Sequence, residues 1–131
     1  MILIDGKSVA KEIRNDLKNT IKDMVIKPGL GIVIVGDRPD SHTYVKMKKK
    51  ACDEVGIYNL DIVLPCDSKE IEIIDAIEKL NKDNQIHGIL VQLPLPKHIN
   101  QEKVLNYISV EKDVDGFHPQ NMGALTLNLN K

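Results

Sequence analysis

The chain has 131 residues, of which 42% are hydrophobic and 28% charged, as is ordinary for one globular domain with a real core. Its 18 basic and 19 acidic residues nearly cancel, and with three Tyr, one Phe and no Trp the composition indicates neither a nucleic-acid surface nor an anionic membrane surface. No apolar run reaches the ~20 residues that span a bilayer. Two cysteines without framework spacing favour a reduced, cytoplasmic protein, and the scattered histidines predict no metal site.

Apolar periodicity predicts helices and strands in alternation along the chain. The first half is predicted as an edge strand at 2–4, a helix capped by Ser8 that ends at 27–29, a strand at 30–35, and a helix capped by Asp40 and Ser41 that ends at Gly56. The second half is predicted as a strand at 58–64, a helix capped by Ser68, a strand at 86–93, a short helix capped by Asn100, and an irregular tail at 111–119. The helix capped by Ser68 is expected to bury a stripe of Ile71, Ile74, Ile77 and Leu80. This order predicts an α/β fold: a three-layer sandwich with a mostly parallel sheet flanked by helices.

The helix at 41–56 carries a lysine on its apolar side. The expected apolar arc consists of Tyr44, Val45, Met47, Ala51, Cys52 and Val55. Lys48 lies in the middle of this arc, one turn after Tyr44. One interpretation is a lysine whose stem packs while its ammonium reaches water at the rim. The other is a partly desolvated amine that acts as an acid or base.

Two further polar residues are expected near Lys48, because ligands of parallel sheets bind beyond the carboxyl ends of the strands. Gln92 ends an otherwise apolar strand, so its amide oxygen could accept from the lysine or bond to local backbone. Asp115 follows the next crossover and could face the same rim, or could be an ordinary turn aspartate before Gly116. A calcium loop at 113–116 is rejected, because further oxygen ligands are missing.

Three blocks of this sequence resemble signature motifs of one family. They are residues 44–56 (YVKMKKKACDEVG), 88–96 (GILVQLPLP) and 112–119 (KDVDGFHP). In order and spacing they resemble the bifunctional methylenetetrahydrofolate dehydrogenase/cyclohydrolase (FolD) family across essentially the whole chain. The resemblance implies oxidation of 5,10-methylenetetrahydrofolate with NADP and hydrolysis of the methenyl product to 10-formyltetrahydrofolate, within one-carbon metabolism and purine biosynthesis.

The resemblance also implies roles for individual residues. Lys48 matches the catalytic lysine, and Tyr44 matches the tyrosine that packs along the aminobenzoyl ring of folate. Gln92 matches the glutamine that tunes the lysine, and Asp115 matches the aspartate that holds the pterin. The implied catalytic set is Lys48, Tyr44, Gln92 and Asp115, and the implied substrate contacts are Tyr44, Val91, Gln92, Leu93, Pro94 and Asp115.

The sequence departs from the family pattern in lacking the Pro-Cys-Thr-Pro and Gly-Arg-Ser stretches of its NADP-binding lobe. Gly36-Asp37-Arg38 lacks the G-x-G-x-x-G pattern and is interpreted as a folate-side loop. We therefore expect residues 1–131 to form the folate-binding catalytic domain alone, without the C-terminal NADP-binding Rossmann domain, without a cofactor of its own and without dehydrogenase activity. We expect it to bind tetrahydrofolate derivatives, neither nucleic acid nor membrane, as a monomer where the full-length family is homodimeric.

Two alternatives differ from this interpretation. The chain could be a stand-alone module that binds reduced folate without turnover. It could also be the substrate lobe of a related two-lobed dehydrogenase acting on shikimate or amino acids, although such lobes share the architecture and not the pairing of the first two motifs.

Overall fold

The computed structural model describes residues 5–129 except the side chain of residue 42, so the edge strand predicted at 2–4 lies outside the described residues. The helices are α1 (Gly6–Asp23), α2 (Pro39–Val55), α3 (Glu70–Lys82), α4 (Gln101–Leu105) and α5 (Pro119–Thr126), the strands are β1 (Gly29–Val35), β2 (Tyr58–Leu64) and β3 (Gly88–Val91), and a 3-10 turn covers Val110–Lys112. The predicted alternation of helices and strands is confirmed over this range.

The three strands form a parallel sheet in the order β2-β1-β3. The central strand β1 is apolar on both faces, because each face is covered by helices. Its Ile32 and Ile34 pack on one face with Val45 of α2, and its Val33 and Val35 pack on the other face in the core that includes α3. The predicted three-layer α/β sandwich is therefore confirmed.

The helices distribute unequally over the two faces. α3 covers one face through its buried residues Ile73, Ile77 and Leu80, and α4 adds Val104 to the same core. α2 covers the other face, and α1 packs against α2. Of the residues of α1, only Ile21 is buried, so most of its apolar stripe is exposed.

Two of the predicted N-caps are wrong because an earlier or better-placed group satisfies the helix start. The α1 cap is Asp5, not Ser8: the Asp5 carboxylate accepts from the backbone N–H groups of residues 7 and 8 at 3.1 and 3.2 Å. At α3 the cap position is Lys69, not Ser68, and Glu72 reaches back to accept from the Lys69 N–H at 2.7 Å. Ser68 is instead buried.

The start of α2 also differs from the prediction. The helix begins at Pro39, whose fixed φ suits a first helical turn, and Arg38 is the cap residue without a side-chain hydrogen bond. Asp40 and Ser41 therefore lie inside the first turn. The predicted end of α2 is confirmed at Gly56, which has the left-handed φ of 88° common at a helix C-terminus. The predicted N-cap of α4 is confirmed at Asn100, whose side chain accepts from a backbone N–H of the first turn.

The buried stripes are rotated relative to the predictions. In α3, Ile71 is exposed and Ile73 is fully buried in its place. In α2, Tyr44 and Met47 are 60% and 64% exposed, so the predicted arc was too wide. Apolar type alone does not mark the face a helix buries; the angle at which it sits on the sheet decides that.

The tail predicted as irregular contains α5. Pro119 occupies the first turn, and the His118 ring Nδ1 accepts from the Gln120 N–H at 3.3 Å as the N-cap contact. Strand β3 is also shorter than predicted and ends at Val91, before the cis peptide between Leu93 and Pro94.

Candidate active site

Lys48 lies within the buried stripe of α2. The stripe recurs every three or four residues and consists of Ser41, Val45, Cys52 and Val55, all buried. Lys48 lies between Val45 and Cys52 in this stripe and is half-buried, so its stem packs while its ammonium reaches the rim of the sheet. Its Nζ donates to Gln92 Oε1 at 3.2 Å.

Gln92 is held so that its oxygen faces the lysine. Its backbone N–H donates to the carbonyl of Val33 at 2.8 Å, which continues the pairing of β1 past the end of β3. Its side-chain Nε2 donates to the carbonyl of Leu93 at 2.9 Å. Because the amide nitrogen is engaged there, Oε1 is the atom left to accept from Lys48. The contact predicted between Gln92 and Lys48 is present.

Asp115 completes a group of three polar residues that come from separate stretches of the chain. Its carboxyl is close enough to Lys48 for the two charges to interact. Asp115 is an exposed residue, but nearby protein atoms partly desolvate its carboxyl, and this largest influence raises its pKa; the positive charge of Lys48 opposes the rise and the negative charge of Asp113 adds to it. The predicted convergence is therefore seen as a direct contact for Lys48 and Gln92, and as an influence of the Lys48 charge on Asp115.

The turn that carries Asp115 is organised by Asp113. The Asp113 carboxylate accepts from the backbone N–H groups of Gly116, Phe117 and His118 at 3.1, 3.3 and 2.9 Å. It also accepts from Asn121 Nδ2 at 2.9 Å. Burial alone would raise the pKa of Asp113, but these four hydrogen bonds stabilise the carboxylate and lower it overall.

The remaining predicted contact residues differ in what they can offer a ligand. The ring of Tyr44 is exposed one turn before Lys48, so its face is open for stacking. Val91 is 2% exposed in the core, which leaves only its backbone for a ligand contact. Leu93 is half-buried and Pro94 is exposed. Their roles toward a substrate, like those of Lys48, Gln92 and Asp115, stay predictions.

The described residues do not fit a dinucleotide phosphate at the glycine-containing loop after β1. Gly36 and Asp37 line an open surface pocket together with Pro65 and Cys66, so the misfit of a phosphate is one of charge and not of space. Arg38 is engaged by Asp40, with Nη2 to Oδ2 at 2.8 Å, and Asp37 adds a negative charge. The loop after β1 is therefore not assigned as a binding site for the NADP phosphates.

Residues 5–129 contain no cluster of three or more histidine, cysteine or carboxylate side chains that could hold a metal ion. In the same range no helix is long and apolar enough to cross a membrane. Cys52 and Cys66 are both free thiols, the first buried and the second exposed.

The sequence interpretation missed three residues that shape the site. Asp113 and Asn121 fix the turn that carries Asp115, and Lys112 anchors its start by donating to three carbonyls at the end of α3. Two aspartates before a glycine are a signal for a turn closed by a side chain, but the signal does not tell which of Asp113 and Asp115 closes it. The sequence offers no comparable signal for Asn121, which lies in the unpredicted α5, or for Lys112, whose partners are distant in the sequence.

Comparisons with known proteins agree on one family. The family model described as tetrahydrofolate dehydrogenase/cyclohydrolase, catalytic domain, matches residues 4–115. The bifunctional protein FolD of Geotalea daltonii is 52% identical over 128 residues, which cover 95% of this chain and 46% of that protein. The chain spans about half the length of the curated relatives it matches.

Solved structures give the same result. The bifunctional FolD methylenetetrahydrofolate dehydrogenase/cyclohydrolase from Campylobacter jejuni superposes with a TM-score of 0.96 at 46% identity, covering 100% of this chain and 48% of its own. The Trypanosoma brucei FolD enzyme, complexed with NADP cofactor and inhibitor, has a TM-score of 0.93 at 36% identity, covering 99% and 46%.

Proposed function

We propose that this chain, which belongs to the tetrahydrofolate dehydrogenase/cyclohydrolase family, binds a reduced folate and supplies the residues that hydrolyse its methenyl form. The observation that carries the proposal is the contact of Lys48 Nζ with Gln92 Oε1 at 3.2 Å, beside the Asp115 carboxyl. An amine, an amide that steers it and a carboxylate then share one rim of the sheet, where ligands of parallel sheets bind.

Lys48 can move the proton that the hydrolysis requires. In its unprotonated form the amine takes a proton from water as the water oxygen attacks the methenyl carbon, which carries a delocalised positive charge. The product is a neutral tetrahedral carbinolamine, and Lys48 is now an ammonium. When the bond from that carbon to N5 breaks, the ammonium returns its proton to N5, the hydroxyl loses its proton to solvent, and 10-formyltetrahydrofolate forms.

Asp115 and Tyr44 are proposed to orient the folate. The pterin presents an amino group and a ring N–H side by side, and one carboxylate can accept both hydrogen bonds. The exposed ring of Tyr44 can stack on the aminobenzoyl group one helical turn from Lys48. Holding both ends of the ligand would place the methenyl carbon near the lysine, which is how positioning contributes to rate.

The proposed role does not include hydride transfer by this chain alone, since Arg38 of the loop after β1 is paired with Asp40 and Asp37 adds a negative charge where a dinucleotide phosphate would bind. In a complete dehydrogenase/cyclohydrolase the NADP would be bound by residues outside this chain. Every residue of the proposed site comes from one chain, so a second copy is not needed, and we propose a monomer. Two free thiols support the proposal of a reducing, cytoplasmic setting.

The test is hydrolysis of 5,10-methenyltetrahydrofolate, followed as the loss of its absorbance above the buffer-catalysed rate. The wild-type chain is expected to show an excess rate, and Lys48→Met is expected to lower that excess by at least roughly 100-fold, because general acid–base catalysis typically contributes that much. Lys50→Met is the matched control: it removes an exposed lysine of the same helix, and its rate is expected to stay near that of the wild type.

Two outcomes would contradict the proposal. An excess rate that survives in Lys48→Met would show that another group moves the proton. Tight binding of reduced folate with no excess rate in the wild type would instead favour a folate-binding module without turnover. Circular dichroism and thermal unfolding of each variant establish that the fold is retained in the comparison.

A further inference from the structure

The carboxylate of Asp113 is saturated with hydrogen bonds from its own turn. Its Oδ1 accepts from the N–H groups of Gly116 and Phe117, and its Oδ2 accepts from the His118 N–H and from Asn121 Nδ2, all between 2.9 and 3.3 Å. A carboxylate that accepts from four donors has no acceptor position left for a substrate. Asp113 is therefore placed to act on the turn and not on a ligand.

Asp115 lies inside this turn and depends on it for direction. Within the described part of the chain, the Asp115 carboxylate accepts no hydrogen bond, so what places it is the backbone of the turn, which sets the direction of its Cα–Cβ bond. Gly116, the next residue, has φ 70°, a conformation that side-chain-bearing residues rarely adopt. Its N–H is one of the four donors to Asp113, so the same contact fixes the glycine conformation and the exit of the chain from Asp115.

The turn is also attached to β3, the strand that Gln92 follows. Asp113 forms a parallel bridge with Ile89 of β3, two residues before the end of that strand. Val114 lies directly over Gly88: a Cβ on this glycine would be 2.4 Å from Val114 Cγ1, so only glycine allows this approach. The distance between the Asp113 turn and the end of β3 is thereby fixed by backbone contacts.

We propose that Asp113 is a positioning residue: by closing the 113–118 turn through four hydrogen bonds, it holds the Asp115 carboxylate where that carboxylate meets the pterin end of a reduced folate. The inference rests on the proposed function, because it assigns a purpose to the direction of Asp115. It differs from a general stabilising role in being local. Loss of Asp113 should affect the pterin end of the ligand and leave the aminobenzoyl end unaffected.

The proposal is tested by binding of two probes, measured by titration calorimetry and by ligand-observed NMR. One probe is 5-formyltetrahydrofolate, a stable reduced folate with a pterin, and the other is p-aminobenzoylglutamate, which lacks the pterin. Asp115→Asn is expected to weaken the first probe by roughly tenfold, the usual cost of a charge-assisted hydrogen bond. Asp113→Asn is expected to weaken it by a similar factor, because Nδ2 of the new asparagine would face two donors where Oδ2 now accepts.

The double variant Asp113→Asn/Asp115→Asn separates positioning from independent contributions. If Asp113 acts through Asp115, the double variant binds 5-formyltetrahydrofolate no more weakly than the weaker single variant, within about twofold. All three variants are expected to bind p-aminobenzoylglutamate within about twofold of the wild type. Asn121→Ala, which removes one of the four donors, is expected to give a smaller loss of the first probe.

The outcomes distinguish this inference from the function on which it rests. If the wild type binds neither probe, or if Asp115→Asn has no effect, the proposed folate site itself is wrong. If Asp115→Asn weakens binding but Asp113→Asn does not, or if the two losses multiply, the positioning role is overturned. Equal loss of both probes in Asp113→Asn and in Asn121→Ala would mean that the turn stabilises the whole site, which also contradicts the proposal.

Discussion

The Asp115 carboxyl experiences opposing influences from the groups that face it. Partial desolvation by nearby protein atoms raises its pKa, Lys48 lowers it and Asp113 raises it, with a net upward shift. Only the ionised carboxylate can accept both pterin donors. A raised pKa means that Asp115 takes up a proton at a higher pH than an ordinary aspartate. On acidification it therefore stops being a hydrogen-bond acceptor for both pterin donors before an ordinary aspartate would.

We therefore predict that binding of 5-formyltetrahydrofolate weakens as the pH falls, with a midpoint above the ordinary aspartate pKa of about 3.9. The measurement is the dissociation constant of the wild-type chain from neutral to acidic pH. Asp115→Asn is the control, because the ligand titrates identically in both experiments and only the wild type carries the carboxyl. An identical pH dependence in the two proteins would refute the assignment.

Sequence reasoning at the residue scale located Lys48 and Gln92 because each is polar in an apolar setting. Their contact follows from topology, since one residue lies on the helix after β1 and the other follows β3, the neighbour of β1. Asp113 was not assigned its place in the turn, although it is adjacent to a residue that was singled out. The pattern identifies a turn aspartate, but it does not tell which of two aspartates closes the turn and which faces outward.

At the scale of secondary-structure elements, the end of α3 is capped from a distance. Lys112 Nζ donates to the carbonyls of Leu80, Asn81 and Asp83 at 3.1, 2.8 and 2.9 Å. These carbonyls lie at the C-terminus of the helix, where the Leu80 and Asp83 oxygens each accept one backbone hydrogen bond, at 3.3 and 3.2 Å, and where the helix dipole favours a cation. The contact joins α3 to the segment that leads into the Asp113 turn.

Lys112→Met is expected to lower the free energy of unfolding by about 2 kcal/mol, because it removes a charged donor from three carbonyls while keeping most of the side-chain volume. Equilibrium unfolding in urea measures the change. The matched control is Lys82→Met, which removes an exposed lysine paired with Glu78 at 3.1 Å and should cost less than about 1 kcal/mol. Equal losses in the two variants would show that Lys112 has no special part in holding α3.

Sequence patterns predicted the central part of each element better than its start. The strand 58–64 agrees with β2, because Pro65 ends it in the sequence itself. The caps at Ser8 and Ser68 failed because several residues near each helix start could serve, and tertiary packing chooses among them: Ser68 is buried and unavailable. α5 was missed because its eight residues include a glycine and no strong apolar period.

At the scale of the whole molecule, the order of helices and strands was sufficient to predict a parallel sheet between two helical layers. Which faces stay open was not predictable in the same way. Most of the apolar stripe of α1 is exposed, including Ile13 and Leu17, because α1 packs mainly against α2. The periodicity of a helix indicates that it has an apolar face; it does not indicate how much of that face its neighbours cover.

The proposed binding of a reduced folate without NADP is also tested on the whole chain. A ligand that binds only the folded state raises its stability by about 2.7 kcal/mol at about 100 times the dissociation constant. We predict that 5-formyltetrahydrofolate at such a concentration raises the unfolding temperature of the chain by several degrees. NADP at millimolar concentration is expected to leave it unchanged, because in the loop after β1 Asp37 adds a negative charge and Arg38 is paired with Asp40.

Thermal unfolding followed by circular dichroism measures both shifts in the same chain. Asp115→Asn should reduce the folate shift without creating a shift with NADP, which separates specific binding from a general effect of anionic ligands. A shift with NADP comparable to the folate shift would show that residues of this chain bind the dinucleotide. The hydride-transfer site would then have to be sought within this chain. A shift with the folate alone is the expected outcome. It would mean that Lys48 and its neighbours form a folate site that does not require a bound dinucleotide.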